Sequence, residues 1–166
     1  MPARIHIIGR KNSGKTTLVC DLLSEFAKRG LKVGALKHTH HHHQLDTPGK
    51  DSYRHREAGA AVAGILAPGM NAVFWPSAGN EPDEARYARL LELYQDCSLV
   101  LVEGDSQTAA PKIEMWRAAV GSEPLAASAA DILAVVSDDP VPAPCPVWPR
   151  SHVPDLADRL ARLAQE

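Results

Sequence analysis

The chain predicts an α/β fold, a mostly parallel sheet carrying helices on both faces, and three observations predict it. Short apolar runs punctuated by glycine alternate with amphipathic stretches, the pattern of parallel strands joined by helical crossovers. The length of 166 residues is close to the ~150 of an average domain, so residues 1–166 are expected to form a single domain around one core. A glycine-rich turn, Gly9 to Thr16, stands between the first apolar run and the first amphipathic stretch.

Taken in order, Arg4 to Ile8 reads as the first strand. Lys15 to Arg29 places Leu18, Val19, Leu22, Leu23 and Phe26 on one helical face, and Gly30 follows where a left-handed cap belongs. Lys32 to Lys37 reads as a strand, followed by a polar, histidine-rich loop reaching Lys50 and a short helix over Ser52 to Ala58. Further strands are predicted at Ala61 to Leu66, Ala72 to Trp75, Leu99 to Glu103, Lys112 to Trp116 and Leu133 to Val136, with a helix over Pro82 to Tyr94. Ala126 to Ala130 reads as a packed helix or turn. Five prolines between Pro140 and Pro149 remove backbone donors, so this segment is expected to cross the surface extended, outside any sheet. Pro154 suits the first turn of a last helix with Val153, Leu156, Leu160 and Leu163 as its apolar stripe.

Composition narrows the partners. A net charge of -2 gives no electrostatic reason to expect nucleic acid or an anionic membrane as a ligand. Cys20, Cys97 and Cys145 are odd in number and widely separated, which suggests neither a disulfide framework nor a thiolate zinc site and fits a reducing cytoplasm. The opening residues reach Gly9 before they could build the apolar core of a signal peptide, and no run approaches ~18 apolar residues. A cytoplasmic protein is expected.

Gly9-Arg10-Lys11-Asn12-Ser13-Gly14-Lys15-Thr16 matches G-x-x-x-x-G-K-[ST] and lies where that motif works, after a strand and before a helix. The loop can turn its backbone N–H groups, those around Asn12 and Ser13 included, towards phosphate oxygens, and the helix adds the positive end of its dipole. Lys15 supplies a point charge to the β- and γ-phosphates, and Thr16 a hydroxyl to Mg2+. This is the phosphate site of the three-layer P-loop NTPase fold. A second metal-side group belongs at the end of a neighbouring strand, where Glu103 closes Leu99-Val100-Leu101-Val102.

Further motifs narrow the family: Lys37-His38-Thr39-His40-His41, then Asp46-Thr47-Pro48-Gly49-Lys50-Asp51-Ser52-Tyr53-Arg54, then Glu57-Ala58-Gly59-Ala60. With the phosphate loop, Val102-Glu103-Gly104 and Pro111-Lys112-Ile113-Glu114, they resemble the molybdopterin-guanine dinucleotide biosynthesis protein B family over roughly residues 4–116. The resemblance implies a GTP-binding, magnesium-dependent adaptor of molybdenum cofactor biosynthesis. It would be a homodimer with weak GTPase activity, working beside the nucleotidyltransferase that attaches GMP to molybdopterin. Carried over by position, Gly9, Gly14, Lys15, Thr16 and Thr17 would hold phosphate and magnesium. Asp46 and Glu103 would face the metal side and serve hydrolysis, and His38, His40 and His41 belong to the shared motif as contacts to an anion or the pterin. The chain departs from the family pattern at His42, His43 and Gln44, where acidic residues are common, and at Asp105-Ser106, where an aromatic–lysine pair is common.

Two other readings share the phosphate cradle. The histidines from His38 to His43 could hold a transition metal, as a metallochaperone GTPase would require, or form a solvated loop over nucleotide or partner; His42 and His43 receive no role. A small-molecule kinase would cast Asp51 and Arg54 as acceptor-side groups. No Asn-Lys-x-Asp string reads guanine, so the base preference rests on resemblance and on Ser137-Asp138-Asp139. A carboxylate there, Asp138 or its neighbour Asp139, can accept the ring N–H and exocyclic amine of guanine. Arg10 and Arg54 are the candidate arginines for the transition state.

Overall fold

In the computed structural model, which describes residues 1–41, 44–77 and 79–165, eight strands and four α-helices follow in the order β1 (Ala3–Ile8), α1 (Lys15–Lys28), β2 (Val33–Lys37), α2 (Asp51–Glu57), β3 (Ala63–Leu66), β4 (Asn71–Phe74), α3 (Asp83–Leu91), β5 (Leu99–Glu103), β6 (Lys112–Met115), β7 (Val135–Val136), β8 (Val147–Trp148) and α4 (Val153–Leu163). The chain has the three-layer α/β architecture of P-loop NTPases. Its backbone gathers into two compact units, a larger one of residues 1–39 and 91–166 and a smaller one of residues 40–90.

The larger unit holds a six-stranded sheet in the order β2-β5-β1-β6-β7-β8, with all pairs parallel. Period-two alternation along these strands sends successive side chains to opposite faces. Ile5, Ile7, Leu99, Leu101, Ile113, Met115, Ala134 and Val136 pack with Leu18, Leu22 and Phe26 of α1 and Leu156 and Leu160 of α4. Complete burial of Leu18, Leu22 and Phe26 stabilises the unit by about 1.5–3 kcal/mol per side chain. The opposite face carries Ile8 and Val135 under Trp116, Ala126 and Ile132. Two 3-10 turns, Ala118–Val120 and Leu125–Ala127, lie in the connection above them.

Helix α1 ends as its sequence predicts. Gly30 takes φ 73°, its N–H reaches the Ala27 carbonyl at 3.0 Å, and the Leu31 N–H reaches that of Phe26 at 3.0 Å. This paired closure satisfies carbonyls that the helix end leaves over. Arg29 then ties α1 to α4, donating from Nη1 to Asp158 Oδ1 at 2.5 Å and from Nη2 to the Pro154 carbonyl at 2.9 Å.

Two expectations need correction. The proline-rich crossing is not wholly outside the sheet, because Val147–Trp148 forms its edge strand, paired with β7. The Pro146 carbonyl accepts from the Val135 N–H at 2.9 Å, so a proline joins the ladder as an acceptor, the one role its missing N–H leaves open. The strand predicted from Leu133 begins at Val135. The strands predicted around Ala61–Leu66 and Ala72–Trp75 are β3 and β4, which pair antiparallel in a sheet of their own inside the smaller unit. Local periodicity announces a strand without saying which sheet receives it.

Candidate functional site

The phosphate loop leaves β1, the strand flanked by β5 on one side and β6 on the other. The loop therefore lies at the carboxyl ends of the parallel strands, where ligands of open α/β sheets bind. Gly9 has φ 144°, and a Cβ there would stand 2.4 Å from the Met115 carbonyl oxygen and 2.9 Å from Ser13 Oγ. The loop can pass so close to β6 only because this residue has no side chain. Asn12 and Gly14 also take positive φ, at 63° and 101°, and Gly14 opens α1, with the Leu18 N–H donating to its carbonyl.

Lys15 folds back over the loop, its Nζ donating to the carbonyls of Gly9 at 2.8 Å and Arg10 at 2.7 Å. Burial pushes its pKa down; Glu103 opposes that shift and Lys37 adds to it. Thr16 Oγ1 donates to Glu103 Oε1 at 2.9 Å, and Lys37 Nζ lies 3.6 Å from the same oxygen. Strand register explains this meeting, since Glu103 pairs with Ile7 of β1 and with Lys37 of β2. The Ser13 hydroxyl is buried and has no hydrogen-bond partner among the described residues.

A cavity of about 440 Å³ and another of about 550 Å³ adjoin the loop. Lys11, Lys15, Lys37, Thr16 and Glu103 line the larger. Four cations around a single carboxylate, once Arg117 of the same lining is added, give it a strongly positive lining. The smaller is bounded by Met115, Trp116, Asp138, Asp139, Arg150 and Ser151. Asp138 Oδ1 accepts from the Ser151 N–H at 2.9 Å and from its hydroxyl at 3.0 Å, and the backbone bond leads in holding this carboxyl below the usual range. Asp139 instead holds the backbone, accepting the Ala118 N–H on Oδ2 at 2.7 Å. Arg150 is steadied by Asp21 of α1.

Of the residues predicted from sequence, Gly9, Asn12, Ser13, Gly14, Lys15, Thr16, Thr17 and Glu103 come together here, and Asp138 borders the adjoining cavity. His38 lies just after β2, its backbone N–H donating to the Glu103 carbonyl at 2.9 Å. His40, His41 and Asp46 belong to the smaller unit. There Asp46 is buried, accepts from Ser52 Oγ at 2.9 Å and lies 3.4 Å from Arg56 Nε. The histidine-run positions His42 and His43 lie outside the described residues. Arg10 Nε donates to the Glu123 carbonyl at 3.3 Å.

Sequence reasoning missed Arg117, whose Nη2 donates to the Asn12 carbonyl at 2.5 Å and which lines both cavities. The signal available was its position two residues past the end of β6. The motif Pro111-Lys112-Ile113-Glu114, by contrast, is scaffold. Lys112 Nζ donates to the carbonyls of Ser106 and Thr108 and pairs with Asp131 at 2.5 Å. Fully buried Glu114 accepts the N–H groups of Leu125 and Ala126 at 2.8 and 2.9 Å.

The family model for molybdopterin guanine dinucleotide synthesis protein B, MobB, matches residues 4–138. The chain belongs to the MobB family. The match runs beyond the motifs of residues 4–116 and takes in both Arg117 and Asp138. Two curated members are the molybdopterin-guanine dinucleotide biosynthesis adapter proteins of Escherichia coli and Haemophilus influenzae. The first is 35% identical over 159 residues, covering 93% of this chain and 89% of the relative. The second is 34% identical over 154 residues, covering 92% and 84%. Among solved structures, Bacillus subtilis MobB superposes with a TM-score of 0.70 at 24% identity, covering 98% of both chains. The fold is thus shared over 98% of this chain.

Proposed function

We propose that this protein is a GTP-binding adaptor serving the conversion of molybdopterin to molybdopterin guanine dinucleotide, acting in the cytoplasm as a homodimer beside the nucleotidyltransferase. The observation that carries the nucleotide site is the phosphate loop meeting Glu103 through Thr16 Oγ1 at 2.9 Å, next to a cavity lined by cations. The pathway rests on membership of the MobB family and on the names of its curated relatives.

The residues fit a triphosphate and magnesium. Lys15 Nζ now bonds two loop carbonyls and can exchange them for phosphate oxygens. The buried Ser13 hydroxyl without a partner sits in the same loop. Thr16 and Glu103 offer the hard oxygen donors that Mg2+ prefers, and the ion, when bound, neutralises charge on the phosphate oxygens. Asp138 is assigned to guanine from its place after β7, on the border of the smaller cavity; Ser151 holds this carboxylate through Oδ1, as Ala118 holds that of Asp139 through Oδ2. Asp46 is assigned to the metal side, and His38, His40 and His41 to an anion or pterin contact, by resemblance. GTP hydrolysis by the isolated protein is proposed to be slow, well below the ~1–100 s⁻¹ of kinases.

Calorimetric titration with magnesium present tests this reading. GTP should bind at least about tenfold more tightly than ATP, and Asp138→Asn should erode the GTP affinity while leaving ATP unchanged, because only guanine presents paired donors to a carboxylate. Equal affinity for the two nucleotides in the parent protein would overturn the guanine assignment.

The metal side is tested separately. Glu103→Gln should leave magnesium-free GTP binding within about twofold and remove most of the gain that magnesium gives the parent, since an amide keeps the size of the side chain and loses its charge. An undiminished magnesium effect would exclude Glu103 from that role.

A further inference from the structure

We infer that Arg117 is the residue that grips the nucleotide between its base and its β-phosphate, at the α-phosphate. The inference rests on the nucleotide reading above and adds to it a contact that no motif announces. The two cavities beside the phosphate loop have Gly14, Thr17 and Arg117 in common. One contains the loop lysine, Thr16 and Glu103, and the other Asp138 and Trp116. A ligand with phosphates in the first and a base in the second must pass this shared border, and the part of a nucleoside triphosphate that lies there is the ribose with its α-phosphate.

The chemistry of the border then selects the arginine. Gly14 and Thr17 belong to the start of α1, and Arg117 is the only charged side chain common to both linings. It follows the strand on the other side of β1 from Glu103, so the loop is bracketed by a carboxylate from β5 and a guanidinium from beyond β6. Its bond to the Asn12 carbonyl, 2.5 Å long, fixes the guanidinium against the loop before any ligand arrives. A guanidinium carries more N–H donors than that bond uses, in a planar fork suited to phosphate. Holding the side chain in place beforehand reduces the ordering cost of the second contact.

Calorimetry with GTP, GDP and inorganic phosphate on the parent, Arg117→Ala and Arg117→Lys separates this role from its rivals. In Arg117→Ala, GTP and GDP should lose affinity by the same factor, about 10–100-fold for a lost charge-assisted contact, while inorganic phosphate, a single phosphate for the loop with no α-phosphate beside it, changes by less than about threefold. Arg117→Lys should recover part of the nucleotide affinity. A loss for GTP that spares GDP would place the arginine at the γ-phosphate and overturn the inference. An equal loss for inorganic phosphate would make it a brace of the loop and overturn it as well. A parent protein that binds inorganic phosphate but neither nucleotide would instead remove the nucleotide reading itself, and this inference with it.

Discussion

Lys15→Ala is expected to weaken GTP binding by at least about 100-fold with magnesium present, and to leave the folded protein as stable as the parent to within about 1 kcal/mol. In the free protein the ammonium bonds, among the described residues, to the carbonyls of Gly9 and Arg10, and burial holds its pKa down, so its removal relieves a desolvated charge while costing two hydrogen bonds. With a triphosphate bound it would face the largest negative charge in the site. The same geometry fixes the sign of a pH effect. A bound polyanion raises a lysine pKa that the free protein lowers, so binding takes up a proton as pH rises through the free-state value, and affinity falls there. Calorimetry in buffers of different ionisation enthalpy reads both results. A Lys15→Ala protein that bound GTP like the parent would remove Lys15 from the site.

A second large effect is expected from Gly9→Ala, this time on the fold as well as on binding. The added Cβ would meet the Met115 carbonyl oxygen at 2.4 Å and Ser13 Oγ at 2.9 Å, at a φ of 144° that side chains rarely adopt. The carbonyl belongs to β6, whose hydrogen-bonded ladder with β1 prevents it from moving away. A loss of about 3–5 kcal/mol in unfolding free energy follows from the clash and the strain together, with nucleotide binding lost even where the protein remains folded. Chemical denaturation monitored by circular dichroism gives the first number. A variant within 1 kcal/mol of the parent would mean that the loop has room to leave β6, contrary to the contact seen here.

Much of this was legible in the residues themselves because it depends on short stretches of chain. The periodicity of Leu18, Val19, Leu22 and Phe26 found α1, and Gly30 found its end, since both signals lie within a few residues of what they specify. The phosphate loop was readable for the same reason: a strand, a glycine-rich turn and Lys15-Thr16 are consecutive, and their chemistry follows from their order. Glu103 was found as the acidic end of an apolar strand, and Asp138 as a carboxylate just past another.

Local stretches of chain thus specify the α/β class, the loop with Lys15 and Thr16, and the apolar faces of α1 and α4. Tertiary structure alone decided the rest, and the reason is strand order. Parallel pairing in the sequence β2-β5-β1-β6-β7-β8 brings residues from separate crossovers to one edge. It sets Glu103 against Thr16 and carries Arg117 to Asn12 across an interval of 105 residues. It also makes Lys112 and Glu114 of the family motif buried anchors for the turns around them. The same long-range ladder recruits Val147–Trp148 as an edge strand despite its prolines, because an edge position asks a strand for hydrogen bonds on one side only.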